Sequence, residues 1–245
     1  ALRRRGVPFH NPYRKTNGAW NPMRGGVDRL RALLSAIPAD GEVSSGWNAR
    51  DARKWIELLE AKSALVHGGK AALTRLMQEV GEVEDDAQRQ QAVMFGGPRR
   101  LTLGDLARVI HGEHLAELSA AIDARDGMAA IRWFERRCLP SKRSLVDYAM
   151  GVALKRGIGA LSERPRVCVG TIHSVKGGEA DTVILSPDLS AAGHKEWSTP
   201  GDARDGILRL FYVGMTRARQ RLVLTRRSTW KAVDLDEFAA SRRTT

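Results

Sequence analysis

Apolar positions in residues 27–157 recur with the period of helices that bury one face. In "DRLRALLSAI", Leu30, Leu33, Leu34 and Ile37 share a stripe, and "NARDARKWIELLEAKSAL" repeats the pattern with Trp55, Leu58, Leu59 and Leu65. Further helical segments are predicted in "TLGDLARVIHGEHLAELSAAI", "GMAAIRWFERRCL" and "SLVDYAMGVALKRG". The Trp133–Phe134 pair belongs to the core on this pattern, and the acidic "EVGEVEDDAQ" reads as a solvated connection. The period changes after residue 158. "RVCVGTIH" and "DTVILSPD" are apolar runs bounded by turn residues, which predicts strands buried on both faces. "GILRLFYVGMTRARQ" predicts a helix with Leu208, Phe211, Tyr212 and Met215 on its apolar stripe, and "RLVLTRR" a third strand. Residues 1–26 read as a short extended run followed by a loop rich in Pro, Gly and Asn. Strand, loop, strand, helix and strand in succession indicate an α/β layer.

Charge sharpens this picture. The chain has 245 residues and a formal net charge of +12. Residues 1–31 hold eight Lys/Arg against one acid, and residues 204–243 hold ten against four. An excess concentrated in two segments favours a polyanionic partner, nucleic acid first. Arg-rich codon usage is the plain alternative. Tyr13, Arg14, Lys15 and Trp20 could stack on bases and contact phosphates, or form a loop closed by the Asn-Pro turns at 11–12 and 21–22. No run reaches the roughly 18 apolar residues of a membrane span, and no secretory signal pattern opens the sequence. The two cysteines, Cys138 and Cys168, both lie in apolar runs and form no disulfide framework or zinc-ligand spacing. A reducing, cytoplasmic setting is the simplest expectation. His111 and His114, three apart, have no visible partner ligand, so no metal site is expected.

Two segments carry candidate chemistry. "HSVKGG" follows directly on an apolar strand, where the polar groups of an α/β sheet line a ligand crevice. Gly177 and Gly178 permit positive φ and close backbone approach, Lys176 could meet an anion, and Glu179 a sugar hydroxyl. An ordinary turn with solvated charges explains the same residues. In "YVGMTRAR", Arg217 lies near a helix end, where its planar fork suits phosphate oxygens or simply complements the helix dipole.

Together, "TIHSVKGGEADTVIL" and "LRLFYVGMTRARQRLVL" resemble, in order and spacing, motifs V and VI of UvrD/Rep-type superfamily 1 DNA helicases. The matching residues are Thr171, His173, Lys176, Gly177, Glu179 and Asp181, then Leu210, Tyr212, Val213, Gly214, Thr216, Arg217 and Ala218. "LRRRGVPFHNPYR" also looks like the segment that follows motif IV. Where many members have Leu-Glu-Phe this chain has "GEA", and the acidic run before motif VI is thinned to Asp202 and Asp205.

The resemblance implies a RecA-like parallel-sheet domain interrupted by a mostly α-helical inserted subdomain. Residues 1–26 would be its first strand and loop, 27–157 the insertion, and 158–245 the remainder carrying both motifs. It further implies that Arg217 is the arginine finger on the γ-phosphate. Lys176, Gly177 and Glu179 would serve the nucleotide, and Thr171 and His173 would lie nearer single-stranded DNA. ATP and Mg would be bound mainly by an N-terminal RecA-like domain, the other partners being single-stranded and duplex DNA. Unwinding from 3′ to 5′ is part of the same implication. No G-x-x-x-x-G-K-[ST] cradle occurs in the sequence. In "HGGKAAL" the first glycine is missing, and Ala71 replaces the hydroxyl that would hold Mg²⁺. The chain therefore resembles the C-terminal part of such a helicase, inactive alone. The rival is a non-catalytic module that binds nucleic acid or protein and retains the fold.

Overall fold

The computed structural model describes residues 2–12, 21–38, 46–80 and 100–233. The Tyr13–Trp20 stacking candidates and most of the acidic connection lie outside the described residues. The chain divides into two compact units, one built from residues 1–9 and 21–167 and the other from 10–20 and 168–245. It combines helices with a small parallel sheet, an α/β composition.

The first unit is helical. After α1 (Leu2–Arg5) come α2 (Arg24–Leu34), α3 (Ala49–Ile56), α4 (Gly69–Val80), α5 (Leu103–Leu106), α6 (Gly112–Asp123), α7 (Gly127–Arg137) and α8 (Asp147–Arg156). Polar side chains fix several starts. Asn48 accepts the Asp51 N–H at 2.7 Å, Asp126 accepts that of Ala129 at 2.9 Å, and Thr102 and Asp105 form a capping box. Gly157, at φ +85°, ends α8.

Two predicted helices are shorter than their periodicity. The "NARDARKWIELLEAKSAL" helix stops at Ile56, yet Leu58, Leu59 and Leu65 remain buried. Isolated antiparallel bridges, Leu59 to Cys138 and Leu65 to Ile110, hold them in the core instead. The "TLGDLARVIHGEHLAELSAAI" segment likewise breaks into α5 and α6. Gly68 and Gly69 form the turn into α4, the Gly69 N–H donating to the Val66 carbonyl at 2.8 Å.

Three tryptophans organise the core. Trp47 and Trp55 lie 5.4 Å apart between ring centroids, and Trp55 and Trp133 6.0 Å apart, edge to face. Trp47 Nε1 donates to the Leu33 carbonyl and Trp133 Nε1 to that of His114, each at 2.8 Å. Trp55 Nε1 is buried without an acceptor among the described residues. Around them Leu30, Ile56, Leu76, Ile131 and Phe134 are fully buried, and Trp133–Phe134 is core as expected. Arg137, almost buried, donates to Glu117 at 2.6 Å and to His114 Nδ1 at 3.0 Å, tying α7 to α6.

In the second unit, β3 (Ala180–Leu185) pairs in parallel with β4 (Ala218–Leu224), connected through α9 (Ala191–Trp197) and α10 (Asp202–Met215). Leu185, Ile207, Phe211 and Val233 form a buried cluster, with Ile172, Val183, Leu189, Trp197 and Met215 packed on it. Two expectations are corrected here. The strands are not buried on both faces: Val183 and Leu185 meet the cluster, but Ile184 on the other face is 69 % exposed. "RVCVGTIH" yields only the exposed two-residue β2 (Val167–Cys168), since a 3₁₀ turn begins at His173. With it Cys168 is exposed, unlike buried Cys138. In the short β1 (Phe9–His10), the His10 carbonyl accepts the Val169 N–H at 2.9 Å. The stripe of α10 is also rotated from the one predicted: Ile207, Phe211 and Gly214 are buried, whereas Tyr212 is 60 % exposed.

The end of β3 is pinned by Asp188. Its carboxylate accepts the backbone N–H groups of Ser228 and Thr229 and both their hydroxyls, at 2.5 to 3.1 Å. The Ser228 hydroxyl above all, then the other donors, hold its pKa far below the aspartate range against the opposing effect of desolvation.

Two outcomes are expected. Trp133→Phe and Trp47→Phe should each lower the unfolding free energy by about 1–2 kcal/mol more than Trp55→Phe, because only they lose a buried indole hydrogen bond; urea titration measures this. Asp188→Asn should cost the second unit its Ser228 and Thr229 amide protection in hydrogen exchange. Because the folded pKa is depressed, the wild-type advantage is full at neutral pH. It fades only as pH falls below the ordinary aspartate value of about 3.9 toward the folded one.

Candidate functional site

The candidate residues lie in the second unit, on the turn before β3 and at the end of α10. Thr171 starts the turn. Its Oγ1 accepts the Ser174 N–H at 3.2 Å, and its carbonyl accepts the Ser174 hydroxyl at 2.9 Å. The His173–Val175 3₁₀ turn follows and ends at Lys176. Gly177, at φ +89°, then reverses the chain in a conformation that side-chain-bearing residues rarely adopt. The Gly178 N–H closes the loop onto the Val175 carbonyl at 2.9 Å, delivering Glu179 to the start of β3. Thr171, His173, Lys176, Gly177 and Glu179 are all exposed.

Sequence reasoning missed the anchor of this turn. Asn11, 3 % exposed, donates from Nδ2 to Ser174 Oγ at 2.9 Å. Gly170 sits against that bond, and a Cβ there would fall 2.3 Å from Asn11 Nδ2 and 2.4 Å from Ser174 Oγ. The sequence marked Asn11 only as part of an Asn-Pro turn, because its partner lies 163 residues away.

On the other segment, α10 ends at Thr216, whose N–H donates to the Tyr212 carbonyl at 3.0 Å. Half-buried Arg217 folds back on this end, Nε donating to the Val213 carbonyl and a terminal nitrogen to Thr216 Oγ1, each at 3.1 Å.

The two segments are neighbours. The Ala180 N–H donates to the Arg217 carbonyl at 3.0 Å, in the register that pairs Ala180 with Ala218. Ile172 abuts Gly214, where a Cβ would lie 3.1 Å from Ile172 Cδ1. Positions 179 and 217 thus stand side by side at the starts of adjacent strands. Their side chains take different partners. Glu179 pairs with Arg219 at 3.2 Å, which the sequence reading did not anticipate, and Arg219 also lies 4.0 Å from Asp181. A shift in register between Ala180 and Thr182 accompanies this arrangement. Both partners are about half exposed, so the pair adds little stability and is open to exchange for another ligand.

Among the described residues no group of three or more His, Cys, Asp or Glu could hold a metal ion, and no helix is long and apolar enough to cross a membrane.

Gly170→Ala should break the Asn11–Ser174 bond and loosen the turn. Faster hydrogen exchange at the Ser174 and Val175 amides, with the first unit's amides unchanged, is the expected result.

The model of the UvrD-like helicase C-terminal domain family matches residues 166–225, which span both segments and the β3–β4 pair. No curated protein and no solved structure matches the sequence. Residues 166–225 are thus similar to the C-terminal domain of UvrD-like helicases.

Proposed function

We propose that the chain is the C-terminal part of an ATP-dependent DNA helicase, a RecA-like domain with a helical insertion that completes a nucleotide site formed with an N-terminal RecA-like domain. Arg217 acts as the arginine finger, stabilising negative charge on the transferred phosphoryl group. Lys176, Gly177 and Glu179 line the nucleotide's other side, and Thr171 and His173 contact single-stranded DNA. ATP and Mg²⁺ are held mainly by the other domain.

One observation carries this reading: the Ala180–Arg217 hydrogen bond sets the two family segments edge to edge, with Glu179 and Arg217 flanking it. The chemistry of the residues fits. Arg217 rests on two neutral oxygens, Val213 O and Thr216 Oγ1, which an anionic phosphate outcompetes for a guanidinium. Among the described residues Glu179 is held by an exposed ion pair, which a hydroxyl can share or replace. Closure of the other domain on ATP would draw Arg217 off the helix end. The same movement, passed along the turn, would shift Thr171 and His173 against DNA.

In the full-length protein, Arg217→Ala should lower ATP turnover by about 10³-fold or more, while nucleotide affinity changes far less. Arg217→Lys should recover only part of the loss, because a point charge lacks the planar fork. Steady-state hydrolysis with saturating single-stranded DNA is the measurement. Unchanged turnover in Arg217→Ala would remove Arg217 from the chemistry, whereas no hydrolysis by the wild-type full-length protein would favour the non-catalytic binding module.

A further inference from the structure

The loop after β4 holds an arrangement that neither motif accounts for. Trp230 is 73 % exposed. Its ring stands edge to face with His194 of α9 at 4.7 Å between centroids, and the Lys231 ammonium lies 5.1 Å from its centre. An indole so exposed keeps a broad face in solvent, and leaving it there forgoes substantial burial.

The loop is nonetheless built. Asp188 fixes Ser228 and Thr229, immediately before the tryptophan. Immediately after it, the Lys231 carbonyl accepts the Leu189 N–H at 2.6 Å, and the Val233 N–H donates to the Pro187 carbonyl at 3.0 Å. Val233 is itself buried in the cluster beneath. Trp230 is therefore presented from a tip secured on both sides.

The charge along the chain that flanks it has one sign. From residue 219 to 233 there are five Lys/Arg and no Asp or Glu. Arg219 is taken by Glu179, and the Asp188 carboxylate is occupied by hydroxyl and amide donors. Lys231 lies against the ring, and the exposed Arg226 and Arg227 precede Trp230 by four and three residues on the same loop.

We propose that this loop is a single-stranded nucleic-acid contact: one base stacks on the open face of Trp230, and Arg226, Arg227 and Lys231 neutralise the flanking phosphates. A rigid aromatic platform among cations suits an unpaired base, whose π-face is available whatever its identity, better than a stacked duplex. The choice of ligand rests on the nucleic-acid reading above; the residues are separate from Thr171, His173 and Arg217.

The test is fluorescence anisotropy of a labelled 15-nucleotide oligo-dT with the 245-residue chain, without nucleotide, between 50 and 200 mM salt. Trp230→Ala should weaken binding about ten-fold or more, and Trp230→Phe should restore it to within about three-fold of wild type. Arg226→Ala with Arg227→Ala should weaken binding and reduce the salt slope by between about 1 and 2. On an oligomer of abasic phosphodiester spacers, wild type and Trp230→Ala should bind alike. The inference is overturned if Trp230→Ala binds oligo-dT as wild type does, as a tryptophan reserved for a protein partner would allow. An equal loss on the abasic oligomer, or no binding by the wild-type chain, also overturns it. The Arg217 experiment reads hydrolysis in the full-length protein, so either reading can fail while the other stands.

Discussion

Main-chain pairing between β3 and β4 is the constraint on which the second unit turns. Each strand begins where a functional segment ends: β3 at the close of the Thr171–Glu179 turn, β4 one residue beyond Arg217. The hydrogen bond from Ala180 to Arg217 therefore does two things at once. It starts a sheet, and it fixes the separation of two stretches nearly forty residues apart in sequence. Slippage of one residue would turn Val183 and Leu185 away from Ile207 and Phe211 and expose the cluster. Packing and site geometry are held by the same ladder.

The polar groups fall into two kinds. Asn11, Ser174 and Asp188 are each committed to protein partners that close turns. Their hydrogen bonds leave the backbone little freedom around Thr171 and Trp230. Arg217, Glu179 and the loop cations are held weakly or sit in water. Such a division, with rigid supports beneath adaptable groups, is what ligand recognition on a fixed scaffold requires.

Much of the helical unit could be read from periodicity, because Leu30, Leu33, Trp55 and Trp133 mark buried faces without help from distant residues. The pattern overran at Leu58 and Leu59. Helical spacing cannot distinguish one more turn from a bend pinned by Cys138 across the chain. The strands posed a different problem. Val183, Ile184 and Leu185 are all apolar, so nothing in the run says which face will be covered. In α10, Tyr212 mimicked a core position, while Gly214, which has no side chain to signal burial, occupied the real one. The turn residues His173, Lys176, Gly177 and Glu179 were legible because they form a dense motif. Arg219, Asn11 and Asp188 were not, since each acquires its meaning from a partner about forty or more residues away.

The β3–β4 pair also bears on how the molecule behaves among its own copies. Ile184 is bare, and neither strand has a further neighbour among the described residues, so the sheet offers a template for stray strands. Arg221 stands exposed on the same short ladder, whereas Arg219 is paired with Glu179. A second chain approaching along that edge would bring its own Arg221 against this one, and like-charge repulsion would oppose the join. Raising ionic strength would screen that repulsion and leave Ile184 as apolar as before. Among the described residues the one unpaired guanidinium on this ladder, Arg221, thus guards the open edge most effectively in dilute salt.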